Sequence, residues 1–546
     1  KPRVDAKMIQ SLEFPSEEDI AEAFSSTGIV GRLYGDFEPR EEQLTMAQEV
    51  RAAFEASENL IVEAGTGVGK SMAYLVPAVL LAKANNIAVG VATKTNALLD
   101  QLVYHELPAL SRSLGGVTYA PLKGFSHYPC LRKVNRFVKE GVKIVDVQGV
   151  EHSQAPALGA MLSFIDQTDF DDMDSLKMDY RIVPRRAVTT TSHDCLRRKC
   201  PFFGTTCFVH GARRFAETAD VVVTNQTLLF CDAATDNGLL PPVRNWVLDE
   251  AHGAEAEARR AFSLEIAAED VTRLAQKVAS GESRNVYARA ERKLESSLKN
   301  EGVTLFEGLV GKAKSAGDAF AEAAHEFVPH IKDLLYFDAN KRSRNYDRTE
   351  LWLNDDIRAS ETFDTLRMSA KTMQSCAEKA ITCSQELVGY LEGIEGAAEP
   401  QREIASAAMD LKELVGSVEV IFGSKSDSYA YAAELCRKKD RQTDKLEALF
   451  VNVGKALEDK LYSQTRSIVF ASATLSIDGD FTSFENAMGL NAGEGTRART
   501  CQLDSSYDFD KNMTVYVAND IPEPSDPHYL DELERLITGC HIAQRG

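Results

Sequence analysis

The sequence has no apolar run near the ~18 residues that a membrane-spanning helix needs, and its longest obvious one is Met72–Ala82. That argues against a membrane protein. No positively charged start runs into an apolar core and a cleavage site, so no secretory signal is visible. The first residue is Lys1 rather than Met, which leaves room for a processed or longer parent. Positive charge is scarce: 62 Lys and Arg against 82 Asp and Glu give a net charge of −20. That argues against a surface coated with nucleic acid, although not against a local basic groove. Cysteine is thin, with 10 residues in 546. Scattered thiols without a signal fit a reducing cytosol, where a cysteine cluster binds metal more often than it forms disulfides. Proline almost vanishes between Val243 and Glu399, where Pro329 is the only one. What is present, 44% hydrophobic and 26% charged residues, is ordinary for globular protein, and the length suggests roughly three or four domains.

The stretch "IVEAGTGVGKSMAYLVPAVLLA", Ile61–Ala82, passes from an apolar strand (Leu60–Val62) through a glycine-rich turn into a helix over Ser71–Ala84. Ala64, Gly65, Thr66, Gly67, Val68, Gly69, Lys70 and Ser71 fit the P-loop spacing, with Ala in the first slot. Glycines let backbone N–H groups wrap a phosphate, and the helix adds its positive end. Lys70 reaches the β- and γ-phosphates, and Ser71 ligates Mg²⁺. Pro77 falls inside the helix and is a candidate kink. The alternative is a plain glycine-rich strand–helix turn.

A P-loop protein must also hold its Mg²⁺ and aim a water. In "NWVLDEAH", Asn245–His252, Trp246–Leu248 reads as a short strand with Asp249 and Glu250 at its C-terminal end. Asp249 would join the Mg²⁺ shell and Glu250 would polarise the water. By itself the segment reads equally as a solvated strand end; with the P-loop it reads as a site. Ile87–Ala92, Val221–Thr224 and Ile468–Ala471 are near-continuous apolar runs, as in buried parallel sheets.

The P-loop, Asp249-Glu250-Ala251-His252 and Ser472-Ala473-Thr474, in this order, resemble a superfamily 2 helicase. "FEPREEQ", Phe37–Gln43, resembles the adenine-reading segment, with Gln43 as base reader; "TKTNALLDQL", Thr93–Leu102, resembles the strand-contact segment. "LKGFSHYPC", Leu122–Cys130, and "ADVVVTNQTLL", Ala219–Leu229, resemble the XPD-like branch, and within it DinG-like helicases, from about Phe24 to Phe509. Gln226 departs from the family, which usually has histidine there. The family's second motor domain has only begun at "LDSSYDF", Leu503–Phe509, and its later motifs, including the arginine that completes the ATP site, are not in the chain. The polypeptide alone is therefore expected to lack full turnover. Some relatives carry an N-terminal exonuclease domain, of which no sign is seen here.

Cys195, Cys200 and Cys207 form a tight group, with Cys130 upstream. Spacing alone leaves an iron–sulfur cluster, zinc and unrelated thiols all open. The resemblance implies that these four hold a [4Fe–4S] cluster. Arg132, Lys133, Arg197, Arg198 and Lys199 supply charge that lowers thiol pKa. From Arg181 to Arg214, eight basic residues face one acid, Asp194, with Tyr180, Phe202, Phe203 and Phe208 interleaved. That pattern suits backbone contact and base stacking on a single strand; the alternative is a solvated loop around a metal. Candidate DNA contacts are Thr93, Lys123, Arg197, Arg198 and Arg213. Cys231, Cys376, Cys383, Cys436, Cys501 and Cys540 read as small apolar residues.

After His252 the chain turns to Ala, Glu, Lys and Leu at helical spacing, as in "LEIAAEDVTRLAQKVA", Leu264–Ala279. This predicts a helical insertion, the family's Arch domain, with "CRKKDRQTDK", Cys436–Lys445, as a solvated loop. The fold expected is α/β: a RecA-like parallel-sheet motor domain with an iron–sulfur insertion, a large helical insertion and an incomplete second RecA-like domain. The expected boundaries are an N-terminal segment 1–30, motor pieces 31–112, 216–254 and 446–502, cysteine domain 113–215, helical domain 255–445 and second motor domain from 503 to 546. The resemblance implies a monomeric cytoplasmic enzyme, an ATP-dependent 5′→3′ helicase on single-stranded or forked DNA in repair or replication, using ATP, Mg²⁺ and [4Fe–4S]. Lys70, Asp249, Glu250 and His252 would carry catalysis, and His252 with Ser472, Ala473 and Thr474 would couple nucleotide state to DNA grip. A nucleic-acid-stimulated ATPase that remodels RNA or nucleoprotein, or a non-catalytic ATP- or DNA-binding fragment, are the other readings.

Overall fold

The computed structural model describes all residues except 1, 35–36, 236–237, 280, 282–284, 295–299, 339–346, 439–442, 492–497, 507–510, 512, 516 and 544–546. The last residues of "LDSSYDF" and the middle of "CRKKDRQTDK" therefore lie outside the described residues. Thirteen strands are described, numbered along the chain.

Seven form one all-parallel sheet: β1 (Asn59–Ala64), β2 (Val89–Thr93), β3 (Tyr119–Pro121), β6 (Val221–Asn225), β7 (Asn245–Asp249), β12 (Ser467–Ser472) and β13 (Ala498–Leu503). Their order is β13-β1-β12-β7-β2-β6-β3. The five inner strands are buried on both faces and apolar, which is why continuous runs marked them in the sequence, whereas the edge strands β13 and β3 are partly exposed and carry no such run. Alternation divides their side chains: Leu60, Val62, Val469 and Ala471 pack on one face, and Ile61, Ile468 and Phe470 on the other. Helices Glu41–Ala56 and Lys70–Asn85 cover the first face; Phe208–Thr218, Gln226–Ala234 and Ala254–Phe262 cover the second. This is the RecA-like α/β motor fold. The helix from Lys70 runs to Asn85 with Pro77 buried inside it.

Between β3 and β6 lie the cysteines and a hairpin of β4 (Ile144–Val147) and β5 (Val150–Ser153), around a small core of Val134, Met161, Met173, Val183 and Val188. The long insertion corrects the expectation of helices alone. Five helices of nine residues or more pack around Phe320, Phe327, Phe363 and Leu411. Beside them, β8 (Leu264–Ala267), β9 (Arg348–Trp352), β10 (Tyr429–Cys436) and β11 (Lys445–Phe450) form an antiparallel sheet in the order β8-β11-β10-β9. Leu264–Ala267, read as helical, is a strand because its backbone pairs with β11, and the helix begins only at Ala268. The charged run Cys436–Lys445 joins the end of β10 to the start of β11 and is not simply solvated: Asp444 is buried and accepts the Cys436 N–H at 2.7 Å.

Candidate functional site

The P-loop joins β1 to the helix at Lys70, with Gly67 and Gly69 at positive φ (87° and 83°). Those conformations are what Gly supplies at no steric cost. Thr66, Gly67 and Gly69 are exposed, so the amide cradle is open. Two side chains brace it from outside. Gln43 is buried and donates from Nε2 to the Gly69 carbonyl at 2.9 Å, and Arg40 donates to the Gly67 carbonyl. The Gln43 amide, expected to read adenine, thus touches the phosphate loop itself. Lys70 Nζ donates to the Ala64 carbonyl at 3.3 Å. The chain leaving β13 crosses the same loop. Gly65 N–H donates to the Leu503 carbonyl at 3.4 Å and Ser505 Oγ to the Thr66 carbonyl at 2.7 Å. A Cβ on Gly65 would stand 2.7 Å from the Ser505 Cα.

β7 lies one strand removed from β1, which places Asp249 and Glu250 beside the loop. Tyr74, four residues into the P-loop helix and fully buried, links the two motifs. Its hydroxyl donates to Asp249 Oδ2 at 3.1 Å, with the Ser71 side chain close by. Burial, and then the neighbouring Glu250, push the Asp249 carboxyl up to about 6, against the pull of Tyr74 and Lys70. A buried carboxylate and a hydroxyl held together beside a lysine make an all-oxygen donor set that fits Mg²⁺.

Glu250 has a left-handed backbone, φ 53°. His252 lies beside it, with Nδ1 3.2 Å from Glu250 Oε2 and 3.0 Å from Ser472 Oγ. Ser472 also donates to Glu250 Oε2 at 3.3 Å. Lys94 Nζ approaches His252 Nε2 at 2.7 Å, so Nε2 accepts and Nδ1 carries the proton. The strand-contact segment, the acidic pair and Ser472 therefore share one network. Ala473 and Thr474 follow on the exit of β12 without a place in it. The sequence reading missed Arg40, Tyr74, Lys94 and Glu63. Glu63 accepts from the Leu475 and Ser476 N–H groups, both at 2.6 Å, and so fixes the loop after Thr474. Only its position at the end of the P-loop strand could have pointed to it.

Cys130, Cys195, Cys200 and Cys207 line one pocket with His210 and Phe202. No three of the four sulfurs lie within 4.8 Å of one another, since the group of described His, Cys, Asp and Glu ligand atoms that close is His193, Asp410 and Glu413. A single zinc, at Zn–S of about 2.3 Å, would draw its sulfurs to about 3.8 Å. The four cysteines around one pocket make a donor set that would hold zinc or an iron–sulfur cluster. Burial pushes the Cys207 thiol up to about 11 and the His210 imidazole down to about 4, the latter helped by Arg213 and Arg197. In the other group, His193 turns Nδ1 to Asp410 (3.1 Å) and Nε2 to Glu413 (3.3 Å). Opposite ring nitrogens suit an imidazolium between two acids, not a chelate.

The cysteine segment is fastened to the long insertion by ion pairs. Arg132 meets Glu399 at 2.8 Å, and Arg136 and Arg289 meet Glu403 at 2.5 and 3.0 Å. Asp194 takes Lys133 at 3.1 Å and the Ser406 hydroxyl at 2.6 Å.

The candidate DNA contacts divide. Arg197 and Arg198 are exposed beside the cysteine pocket. Lys123 is a correction: it is buried and caged by Asp100, Asp172 and Asp174 at 3.0–3.2 Å, leaving no free charge for a phosphate. Thr93 is also buried, its hydroxyl donating to the Thr95 carbonyl at 2.9 Å. Arg213 stacks on Phe125 at 4.9 Å, and Phe208 is core. Arg181 and Arg185 are paired to Asp179 and Asp174. The basic patch is thus partly spent inside the fold, by acids outside the stretch that was counted.

No protein-family model matches the chain. It is 25% identical over 552 residues to a Bacillus subtilis protein named 3'-5' exonuclease DinG, covering 98% of this chain and 56% of that one. It is 26% identical to the ATP-dependent DNA helicase YoaA of Haemophilus influenzae (97% and 73% covered). It is 27% identical to the ATP-dependent helicase DinG of Mycobacterium tuberculosis (92% and 70%). The chain thus spans little more than half of the first relative and about seven-tenths of the others. A solved structure titled XPD helicase aligns over 91% of this chain and 70% of its own, at 12% identity and a TM-score of 0.40, too distant to add weight. With the P-loop, the acidic pair and Ser472 gathered at one end of a parallel sheet, the chain is similar over nearly its whole length to proteins named DinG and YoaA.

Proposed function

We propose that the chain is the ATP-binding part of a 5′→3′ DNA helicase acting on single-stranded or forked DNA in the cytoplasm, in repair or replication, and working as a monomer. One observation carries the reading: the P-loop helix and Asp249, far apart in sequence, are tied by the Tyr74 hydroxyl beside an open P-loop. The loop amides and Lys70 bind the triphosphate, and Ser71 and Asp249 hold Mg²⁺. Glu250 takes the proton of the water that attacks the γ-phosphorus as the bond to the bridging oxygen breaks. His252 and Ser472 hold the Glu250 carboxylate, and Lys94 extends that hold into the strand-contact segment. Cys130, Cys195, Cys200 and Cys207 would hold a [4Fe–4S] cluster, which supplies rigidity to a strand-guiding segment. Arg197 and Arg198 supply the exposed charge for the strand.

The test is hydrolysis of Mg·ATP with and without single-stranded DNA. Stimulated turnover is expected, and Lys70→Ala should lower it about 100-fold or more with an unchanged circular dichroism spectrum. Normal turnover in Lys70→Ala would remove the phosphate assignment. An anaerobic preparation should be brown, absorbing near ~400 nm, with iron at a cluster's stoichiometry; a colourless zinc protein would refute the cluster.

A further inference from the structure

We propose that Gln226 is a positioning residue whose carboxamide clamps the Asp249–Glu250 corner and so aims the Glu250 carboxylate. The inference rests on the reading of Glu250 as the residue that activates water.

Gln226 opens the helix Gln226–Ala234 at the end of β6 and is wholly buried. Its Nε2 donates to the Asp249 carbonyl at 2.8 Å and the Glu250 carbonyl at 3.3 Å. Both partners are acceptors, which fixes the amide nitrogen on that side. Between those carbonyls sits Glu250, with φ 53° and ψ 49°. A left-handed conformation costs a non-glycine residue roughly 1–2 kcal/mol, so the neighbourhood must enforce it. The local restraints include the Gln226 amide, the Glu250 N–H, which donates to Asp249 Oδ1 at 3.0 Å, and the Gly253 N–H, which donates to the Glu250 carbonyl at 3.3 Å. The Gln226 Oε1 is buried with no hydrogen-bond partner. An amide that leaves its acceptor unpaired in the interior is stabilised there through its donors alone. The adjacent residue extends the clamp: Asn225 Nδ2 donates to Asn96 Oδ1 at 2.8 Å, in the strand-contact segment. The corner that aims Glu250 is therefore one residue away from a tie to the segment proposed to feel DNA.

Leucine at 226 keeps the volume, removes both donors and deletes the unpaired oxygen. Histidine places an Nε2–H as many bonds from Cβ as the glutamine nitrogen. The experiment is hydrogen exchange by mass spectrometry over peptides spanning residues 245–254, with kcat and KM for ATP under saturating single-stranded DNA. Gln226→Leu is expected to exchange about 10-fold faster at that corner and to lose about 10-fold in kcat, with KM within about 2-fold. Gln226→His should recover most of both. Wild-type exchange and kcat in Gln226→Leu, or a loss confined to KM, would overturn the proposal. If Gln226→Leu does not fold, Gln226→Met against Gln226→His decides, because a thioether of similar volume cannot donate: fast exchange in Gln226→Met alone supports the clamp, and equal exchange in the two refutes it. If the unaltered protein hydrolyses no ATP, the reading of the site fails, and the exchange comparison still decides the clamp.

Discussion

Glu63 is the last residue but one of the P-loop strand, yet its carboxylate serves another loop. It accepts the N–H groups of Leu475 and Ser476, the Ser476 hydroxyl at 2.8 Å and the Gln502 amide at 3.2 Å. Burial alone would raise its pKa; those donors overrule it and hold the carboxyl below its ordinary 4.5. A depressed acid stabilises the fold fully above its unfolded value and loses that contribution as pH falls. Glu63→Gln should therefore cost about 1 kcal/mol at pH 7, in a half-exposed setting. Urea titrations should show the gap from the unaltered protein closing as pH falls below 4.5. The P-loop and the Asp249–Glu250 pair were legible in the sequence because their chemistry demands particular residues at fixed spacing. Glu63, Tyr74 and Lys94 were not, since each acts on a partner more than 150 positions away. Lys123 was misread for a related reason: a motif gives a residue its place in the chain but not its burial, and three aspartates surround this one.

Among the elements, the five inner strands of the parallel sheet were readable because double burial leaves little choice but Val, Ile, Leu and Ala, while the partly exposed edge strands β3 and β13 were not. The sheet of the long insertion was not. Tyr429–Cys436 is alanine-rich, and Leu264–Ala267 runs straight into a helix, so local preference favoured helix while pairing with β11 decided otherwise. The helix Ala398–Phe422 shows what an element's end can do. Glu399 in its first turn meets Arg132 of the helix Leu131–Lys139 and Lys293 of the helix Val286–Leu294. Burial would raise this carboxyl, but Lys293 and Arg132 hold it at about 2. Its contribution is whole above the ordinary 4.5 and is lost as pH falls from there toward 2. Glu399→Gln should cost about 1–2 kcal/mol at pH 7, discounted for partial exposure, and nothing near pH 2. Guanidinium unfolding at the two pH values checks this.

For the whole molecule, the net charge of −20 conceals where the positive charge went. Part of it faces acids across the seam between the cysteine segment and the long insertion, where Arg132 and Arg136 meet Glu399 and Glu403 and Lys277 meets Asp194. Glu403 stands at the centre, 13% exposed, against Arg132, Arg136 and Arg289. Glu403→Lys should cost about 3–5 kcal/mol, as breaking a buried pair does. Calorimetry should then show the insertion melting apart from the sheet, where the unaltered protein melts more nearly as one. The contact of Ser505 with Gly65 has a consequence of another kind. No methyl group fits between them, so the phosphate cradle and the backbone downstream of Leu503 share one close-packed surface. A nucleotide settling into the cradle is expected to be felt first by that neighbouring backbone, with no separate hinge between the two.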